Sequence, residues 1–132
     1  MMEGIVQSVY SEVATQRPRL LTPGGAVSIG GVVETAISTV DAARFGYMAN
    51  LTIICTVAST TAGTWTLRNA AGGTTLLVIP QPVAVSIVGT KYCMCFPAPW
   101  KTNAINAAFT IQGSVATLGT WTFLVNGFMS ST

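Results

Sequence analysis

Histidine is missing from all 132 residues, and the only acids, Glu3, Glu12, Glu34 and Asp41, stop at position 41. General acid–base catalysis draws on a His or a pocketed carboxylate, and metal centres on clustered His, Cys, Asp or Glu. The body of the chain offers neither, so the expectation is a protein that is not an enzyme and holds no metal and no cofactor. Charge is scarce as well. Only 8% of residues are charged, against about 25% in ordinary domains, while 50% are hydrophobic. Thr, Ser, Asn and Gln supply wettable groups, but little charge is left to hold molecules apart. Such a surface suits a protein that lives packed against neighbours.

The few cations are spread out. Arg44, Arg68, Lys91 and Lys101 give residues 42–132 a formal charge of +4, whereas Arg17 and Arg19 against the four acids leave residues 1–41 at −2. A nucleic-acid binder clusters Lys and Arg and interleaves them with aromatics; that pattern is absent, and no nucleic-acid partner is expected. Also missing is any run of about 20 apolar residues of the kind that spans a membrane. The uncharged stretches 45–67 and 102–132 are interrupted by Gly, Thr, Ser and Asn. The N-terminal MMEGIVQSVYSEVATQ carries Glu3 and Glu12 and lacks a basic start with an apolar block, so it does not read as a signal peptide. Neither membrane nor secretion is expected, and the sequon Asn50-Leu51-Thr52 reads as an accident inside a strand.

Cysteine is limited to Cys55, Cys93 and Cys95. Cys93 and Cys95 are two apart in an extended stretch and point the same way, which is poor geometry for a mutual bond. A bridge from Cys55 to one of them stays open. The simpler expectation is three small buried hydrophobes in a protein made in a reducing cytoplasm. A reactive thiol would find no His or carboxylate partner to activate it.

What is present divides the chain in two. Over residues 1–24, Ile5, Val9 and Val13 recur at i, i+4 and i+8 beside Val6 and Tyr10, so the spacing predicts a short amphipathic helix over about 5–15. Arg17-Pro18-Arg19 and Thr22-Pro23-Gly24-Gly25 then break it. A helix that short is marginal alone, which gives this segment the character of an arm, with Ile5, Val9, Tyr10, Val13, Arg17 and Arg19 as candidate interface residues. Residues 25–132 read as a β domain. Runs rich in Val, Ile, Thr, Phe, Tyr and Trp fall at 26–29, 32–39, 46–56, 63–69, 74–79, 83–88, 91–96, 105–112 and 119–128, separated by Gly, Pro, Asn and Ser. Taking the first two runs as one bent strand gives about eight. Regular short strands with turn signals argue for an all-β, antiparallel sandwich or barrel.

The frame Gly-Thr-Trp-Thr occurs twice, at 63–66 and 119–122, using two of the three tryptophans. Each copy follows a small polar run and so enters a strand from a loop. Alternation sets Trp65 and Leu67 against Thr64, Thr66 and Arg68, and sets Trp121, Phe123 and Val125 against Thr120, Thr122 and Leu124. Trp65, Trp121 and Phe123 are therefore candidate core anchors, their indole N–H groups needing partners; a sugar-stacking tryptophan pair is the alternative. Trp100 differs. It lies in Phe96-Pro97-Ala98-Pro99-Trp100-Lys101, read as a stiff loop between strands, where Trp100 either folds back as a lid or, with Lys101, anchors an interface.

The order of these features resembles a known family. An arm leads to Val32-Val33-Glu34-Thr35-Ala36-Ile37 and then to Arg44-Phe45-Gly46-Tyr47-Met48-Ala49-Asn50-Leu51-Thr52-Ile53. Gly63 to Gly73, Phe96-Pro97 before Pro99-Trp100, and a closing strand from Thr120 to Phe128 follow. Over residues 26–130 this run is similar to small virion proteins of tailed bacteriophages, in particular capsid decoration or cement proteins with a jelly-roll-like β-sandwich. The resemblance implies a homotrimer on the capsid surface that binds the major capsid protein, stabilises the head and does no catalysis. It transfers no site residues, and the helix-like arm departs from it. The arm would then fold on a neighbour, with its ordering cost offset by buried interface. The competing expectation is a receptor- or carbohydrate-binding module of a head or tail fibre, with Trp100 and Tyr92 as its aromatic contacts and a glycan as its partner.

Overall fold

The computed structural model describes residues 32–38, 41–81, 88–89 and 91–132, together with the backbone of 19–20 and 25–27. Nine strands and no helix occur among these residues: β1 (Arg19–Leu20), β2 (Gly25–Val27), β3 (Thr35–Ala36), β4 (Phe45–Val57), β5 (Gly63–Arg68), β6 (Thr75–Gln81), β7 (Lys91–Lys101), β8 (Thr110–Gly113) and β9 (Thr120–Ser130). They form two antiparallel sheets. One has the order β9-β4-β7, with β1 and β2 both on the free side of β9; the other has the order β3-β8-β5-β6. β1 and β2 share one register, since Arg19 opposes Met129 and Val27 opposes Trp121, eight residues apart on either strand. The expected helix over 5–15, and with it Ile5, Val9, Tyr10, Val13 and Arg17, lies outside the described residues.

Period-two alternation sorts each long strand into an inner and an outer set. Along β9, Trp121, Phe123 and Val125 are buried while Thr120, Thr122 and Leu124 are only partly covered. β5 does the same with Trp65 and Leu67, and β4 with Met48, Leu51, Ile53 and Cys55. The two inner faces meet in one core, to which Ile37, Phe109, Ile111 and Leu118 also belong. Trp65 of one sheet stands edge-on to Phe123 of the other, with ring centroids 5.2 Å apart and a 72° interplanar angle. Complete burial of side chains this size stabilises the fold by about 3 kcal/mol each.

Both Gly-Thr-Trp-Thr frames serve this core from one end of the molecule. The loops that precede them touch: Thr60 N–H donates to Thr117 O at 3.1 Å, Ser114 N–H to Thr64 O at 2.9 Å, and Thr64 N–H to Ser114 Oγ at 2.8 Å. The two glycines solve different problems. Gly119 has φ +82°, and a Cβ there would fall 2.1 Å from Val57 O. A Cβ on Gly63 would meet only side-chain atoms, of Ser114, Leu118 and Val115.

Several strand boundaries differ from the sequence reading. The run 105–112 is a strand only from Thr110. Asn106 adopts φ +60°, a left-handed conformation that Asn tolerates better than most residues, and donates its N–H to Asp41 O at 2.9 Å. Of the described residues 32–38 in the run 32–39, Thr35–Ala36 form the strand, and the run 83–88 lies, apart from Val88, outside the described residues. β7 continues past Phe96 to Lys101, so the segment around Trp100 is not a loop between strands. Between the pairs Asn50–Cys95 and Met48–Trp100, β4 has the single residue Ala49 while β7 has Phe96 to Pro99. Pro97, Ala98 and Pro99 are thus thrown out as a bulge, where missing backbone donors do no harm.

Candidate functional site

Three features of the described residues could carry function. The first is the outer face of the β9-β4-β7 sheet. Across it run Asn126, Asn50 and Cys95 in one row, Leu124, Thr52 and Cys93 in the next, and Thr122, Ile54 and Lys91 in a third. Side chains are tied to one another along the rows: Asn126 Nδ2 donates to Asn50 Oδ1 at 2.9 Å, and the Thr52 hydroxyl meets Cys93 Sγ at 3.6 Å. Toward the other end of the sheet an aromatic cluster takes over. Tyr47 stacks on Phe128 with centroids 4.8 Å apart, and Lys101 Nζ sits 3.9 Å from the centre of the Phe45 ring. Lys91 and Lys101 are the charged side chains of β7. The other four described charged side chains pair off as Arg44 with Asp41 at 3.0 Å and Arg68 with Glu34 at 3.2 Å.

Trp100 is half-buried, packs against the core and stacks on Phe96 at 4.0 Å across the base of the bulge. Lys101, next in the chain, is exposed and turned to the aromatic cluster. Arg19 pairs with Met129 through its backbone in β1. Tyr92 and Trp100 do not form one platform. They stand near opposite ends of β7, opposite Ile53 and Met48 respectively, and Tyr92 stacks on Trp121 while Trp100 stacks on Phe96. The cysteines correct the expectation of three buried thiols: Cys55 is buried, but Cys93 and Cys95 are exposed and all three are free. Cys55 belongs to the inner set of β4, whereas Cys93 and Cys95 oppose the outward Thr52 and Asn50. Burial pushes the Cys55 thiol up from its ordinary pKa.

The second feature is a bonding hub at Glu34, which sequence reading did not anticipate. Its carboxylate accepts from Thr110 Oγ1 at 2.7 Å, Arg68 Nη1 at 3.2 Å and the Gly72 N–H at 3.0 Å. Desolvation alone would raise its pKa, but the bonds from Thr110, Gly72 and Arg68 outweigh it and hold Glu34 below the ordinary carboxylate value. Beside it lies a hollow of about 410 Å³ walled by Ala36, Ala70, Ala71, Ala107 and Ala108. Three donors from different parts of the chain hold the carboxylate, so the arrangement is a clasp joining the segment before β3 to the turn after β5.

The third is a cleft of about 240 Å³ between the sheets on the side of edge strands β6 and β7, lined by Ile53, Trp65, Ile79, Pro80, Gln81, Tyr92 and Trp121. No charged side chain lines it among the described residues. Among the described residues no group of three or more His, Cys, Asp or Glu could hold a metal ion, and no helix is long and apolar enough to cross a membrane. No protein-family model, curated protein or solved structure matches the chain.

Proposed function

We propose that this chain is a virion structural protein, a decoration or cement protein that binds the lattice of a bacteriophage major capsid protein as a homotrimer and stabilises the head. The observation that carries the reading is the outer face of the β9-β4-β7 sheet, which is wide, interlocked and nearly free of charge. Covering a charged face strips water from ions at a cost of several kcal/mol each. Covering the apolar Ile54 and Leu124 beside an Asn126–Asn50 pair and a Thr52–Cys93 pair that already bond each other avoids that cost, and the Phe45, Tyr47 and Phe128 cluster adds the aromatic contact area that interfaces favour. Uncovered, the same face has little charge to keep copies apart.

Strand order supports the jelly-roll form of this reading. With β1 and β2 counted as one strand, eight strands remain, and the pairings β2·β9, β3·β8, β4·β7 and β5·β6 nest within one another. That is the pattern of one long hairpin rolled up, closed here by the further pairings β4·β9 and β5·β8. The proposed work is mechanical. Many copies, each bridging neighbouring capsid subunits, resist the pressure of packaged DNA through multivalency, with residues 1–18 as a second point of attachment.

The test is co-sedimentation with expanded capsid shells that lack the protein. Saturable binding that raises the rupture temperature of the shells is expected. A Thr52→Asp, Leu124→Asp double variant, which sets charge at the centre of the face, should lose at least tenfold in affinity with its own melting unchanged, and deletion of residues 1–18 should weaken binding. Absence of co-sedimentation, or full binding by the double variant, would overturn the proposal. Glycan-array binding in the absence of capsid binding would favour the carbohydrate-binding alternative.

A further inference from the structure

The cleft between the sheets holds two of the three tryptophans, and their indole nitrogens have different fates. Trp121 Nε1 donates to Leu118 O at 3.0 Å. Of the other polar side chains of the lining, Gln81 donates its amide to Ser59 Oγ at 3.2 Å, and Tyr92 is exposed at the rim. Trp65 Nε1 is buried without an acceptor, although the residue is 2% exposed and lines the cleft. Buried donors are almost always satisfied, and an orphan in a native structure points to a missing acceptor. Around it the walls are apolar and aromatic. Ile53 and Trp121 come from one sheet and Ile79 from the other, while Tyr92 stands 49% exposed on β7, its ring 6.2 Å from that of Trp121 with an interplanar angle of 25°.

From this juxtaposition we infer that the cleft is a binding site for a small, neutral, mostly apolar molecule of one or two rings carrying one hydrogen-bond acceptor, a carbonyl or ether oxygen, which takes the Trp65 N–H. Size, charge and polarity each narrow the class. A cavity of about 150 Å³ lined by aliphatic and aromatic groups holds benzene, and the present 240 Å³ admits a second fused ring. The lining residues Ile53, Trp65, Ile79, Pro80, Gln81, Tyr92 and Trp121 are all uncharged, which disfavours ions. A sugar, which presents many hydroxyl groups, would leave most of them unpaired against these walls. One acceptor for one orphan donor is the complement that the lining offers. The site is independent of the proposed capsid-binding face, because Trp121 and Tyr92 lie on the inner side of the sheet whose outer side forms that face, and Trp65 comes from the facing sheet.

The experiment uses the full-length protein and two probes of similar shape: coumarin, which has a lactone carbonyl, and 1,2-dihydronaphthalene, which has no acceptor. Binding is followed by intrinsic fluorescence and by the indole N–H resonances of the ¹⁵N-labelled protein, with the Trp65 signal assigned by its loss in Trp65→Phe. Coumarin should bind about tenfold more tightly than the hydrocarbon, the worth of one bond to a buried donor. It should move the Trp65 indole proton downfield while the Trp100 signal stays in place, and Trp65→Phe should bring the two affinities together. Since Trp65→Phe also shrinks a core ring, Tyr92→Ala at the rim provides a second variant: it should weaken both probes at least fivefold without lowering the melting temperature. Equal affinity for the two probes, an unmoved Trp65 resonance, full binding by Tyr92→Ala or no saturable binding of either probe would each overturn the assignment.

Discussion

Substituting alanine for glycine at three places separates backbone strain from steric overlap. Gly72 has φ +65° with nothing within 4 Å of a would-be Cβ, so Gly72→Ala suffers the left-handed conformation alone, about 1–2 kcal/mol. Gly63 carries no such strain. Its new methyl would lie 2.7 Å from Ser114 Oγ, which accepts the Thr64 N–H, and 2.8 Å from Cδ2 of the buried Leu118, side-chain atoms whose displacement costs about 1–3 kcal/mol. Gly119 incurs both penalties. At φ +82° its Cβ would lie 2.1 Å from Val57 O and 2.9 Å from both Ala58 C and Ser59 N. Backbone cannot rotate away, so the two chains must separate where β9 begins, adding about 1–3 kcal/mol to the conformational cost. The expected total for Gly119→Ala is about 2–5 kcal/mol, a large share of the 5–15 kcal/mol typical of a whole domain. At about 3–5 °C per kcal/mol for a chain of this length, Gly119→Ala should melt about 6–25 °C below the parent by calorimetry, Gly63→Ala about 3–15 °C below and Gly72→Ala about 3–10 °C below. A Gly119→Ala loss no larger than that of Gly72→Ala would refute the claim that contact with the Val57–Ser59 backbone fixes this position.

Glu34 should make the fold acid-sensitive. Its folded pKa lies below the ordinary value of 4.5, so its contribution is fully present above 4.5 and is lost as pH falls through the folded value. Glu34→Gln should cost about 1–2 kcal/mol at pH 7 and flatten the decline in urea midpoint between pH 6 and 3; a variant with the parent's pH slope would count against the hub. Thiol titration of the native protein should consume two equivalents of an aromatic disulfide reagent rapidly, at Cys93 and Cys95, and the third, Cys55, only after unfolding; a third fast equivalent would contradict its burial. Phe123→Ala removes the ring that meets Trp65 edge-on and should destabilise by about 3–5 kcal/mol, read as a shift in denaturant midpoint; a change below about 1 kcal/mol would show that the two sheets do not meet there.

Much of this protein could be read along the chain, because strand alternation is a local property. The inward set Trp65, Leu67, Trp121, Phe123 and Val125 follows from a period of two applied to two short stretches, and the scarcity of acids and lack of histidine shape the whole surface wherever the strands go. Tertiary structure decided what depends on pairing between distant residues. Alternation says that Cys93 and Cys95 share a side; only their register against Thr52 and Asn50 turns that side outward. Nothing near Glu34 in sequence announces Arg68, Gly72 or Thr110, which lie 34 to 76 residues away. Extension of β7 beyond Phe96 depends on a bulge that places Trp100 opposite Met48, and prolines read locally as a break hide it. The cleft is the furthest from the sequence, since it exists only where the edge strands of two sheets meet above Trp65 and Trp121. A strand's own residues fix which side chains share a face; the neighbour across the gap fixes what that face encloses.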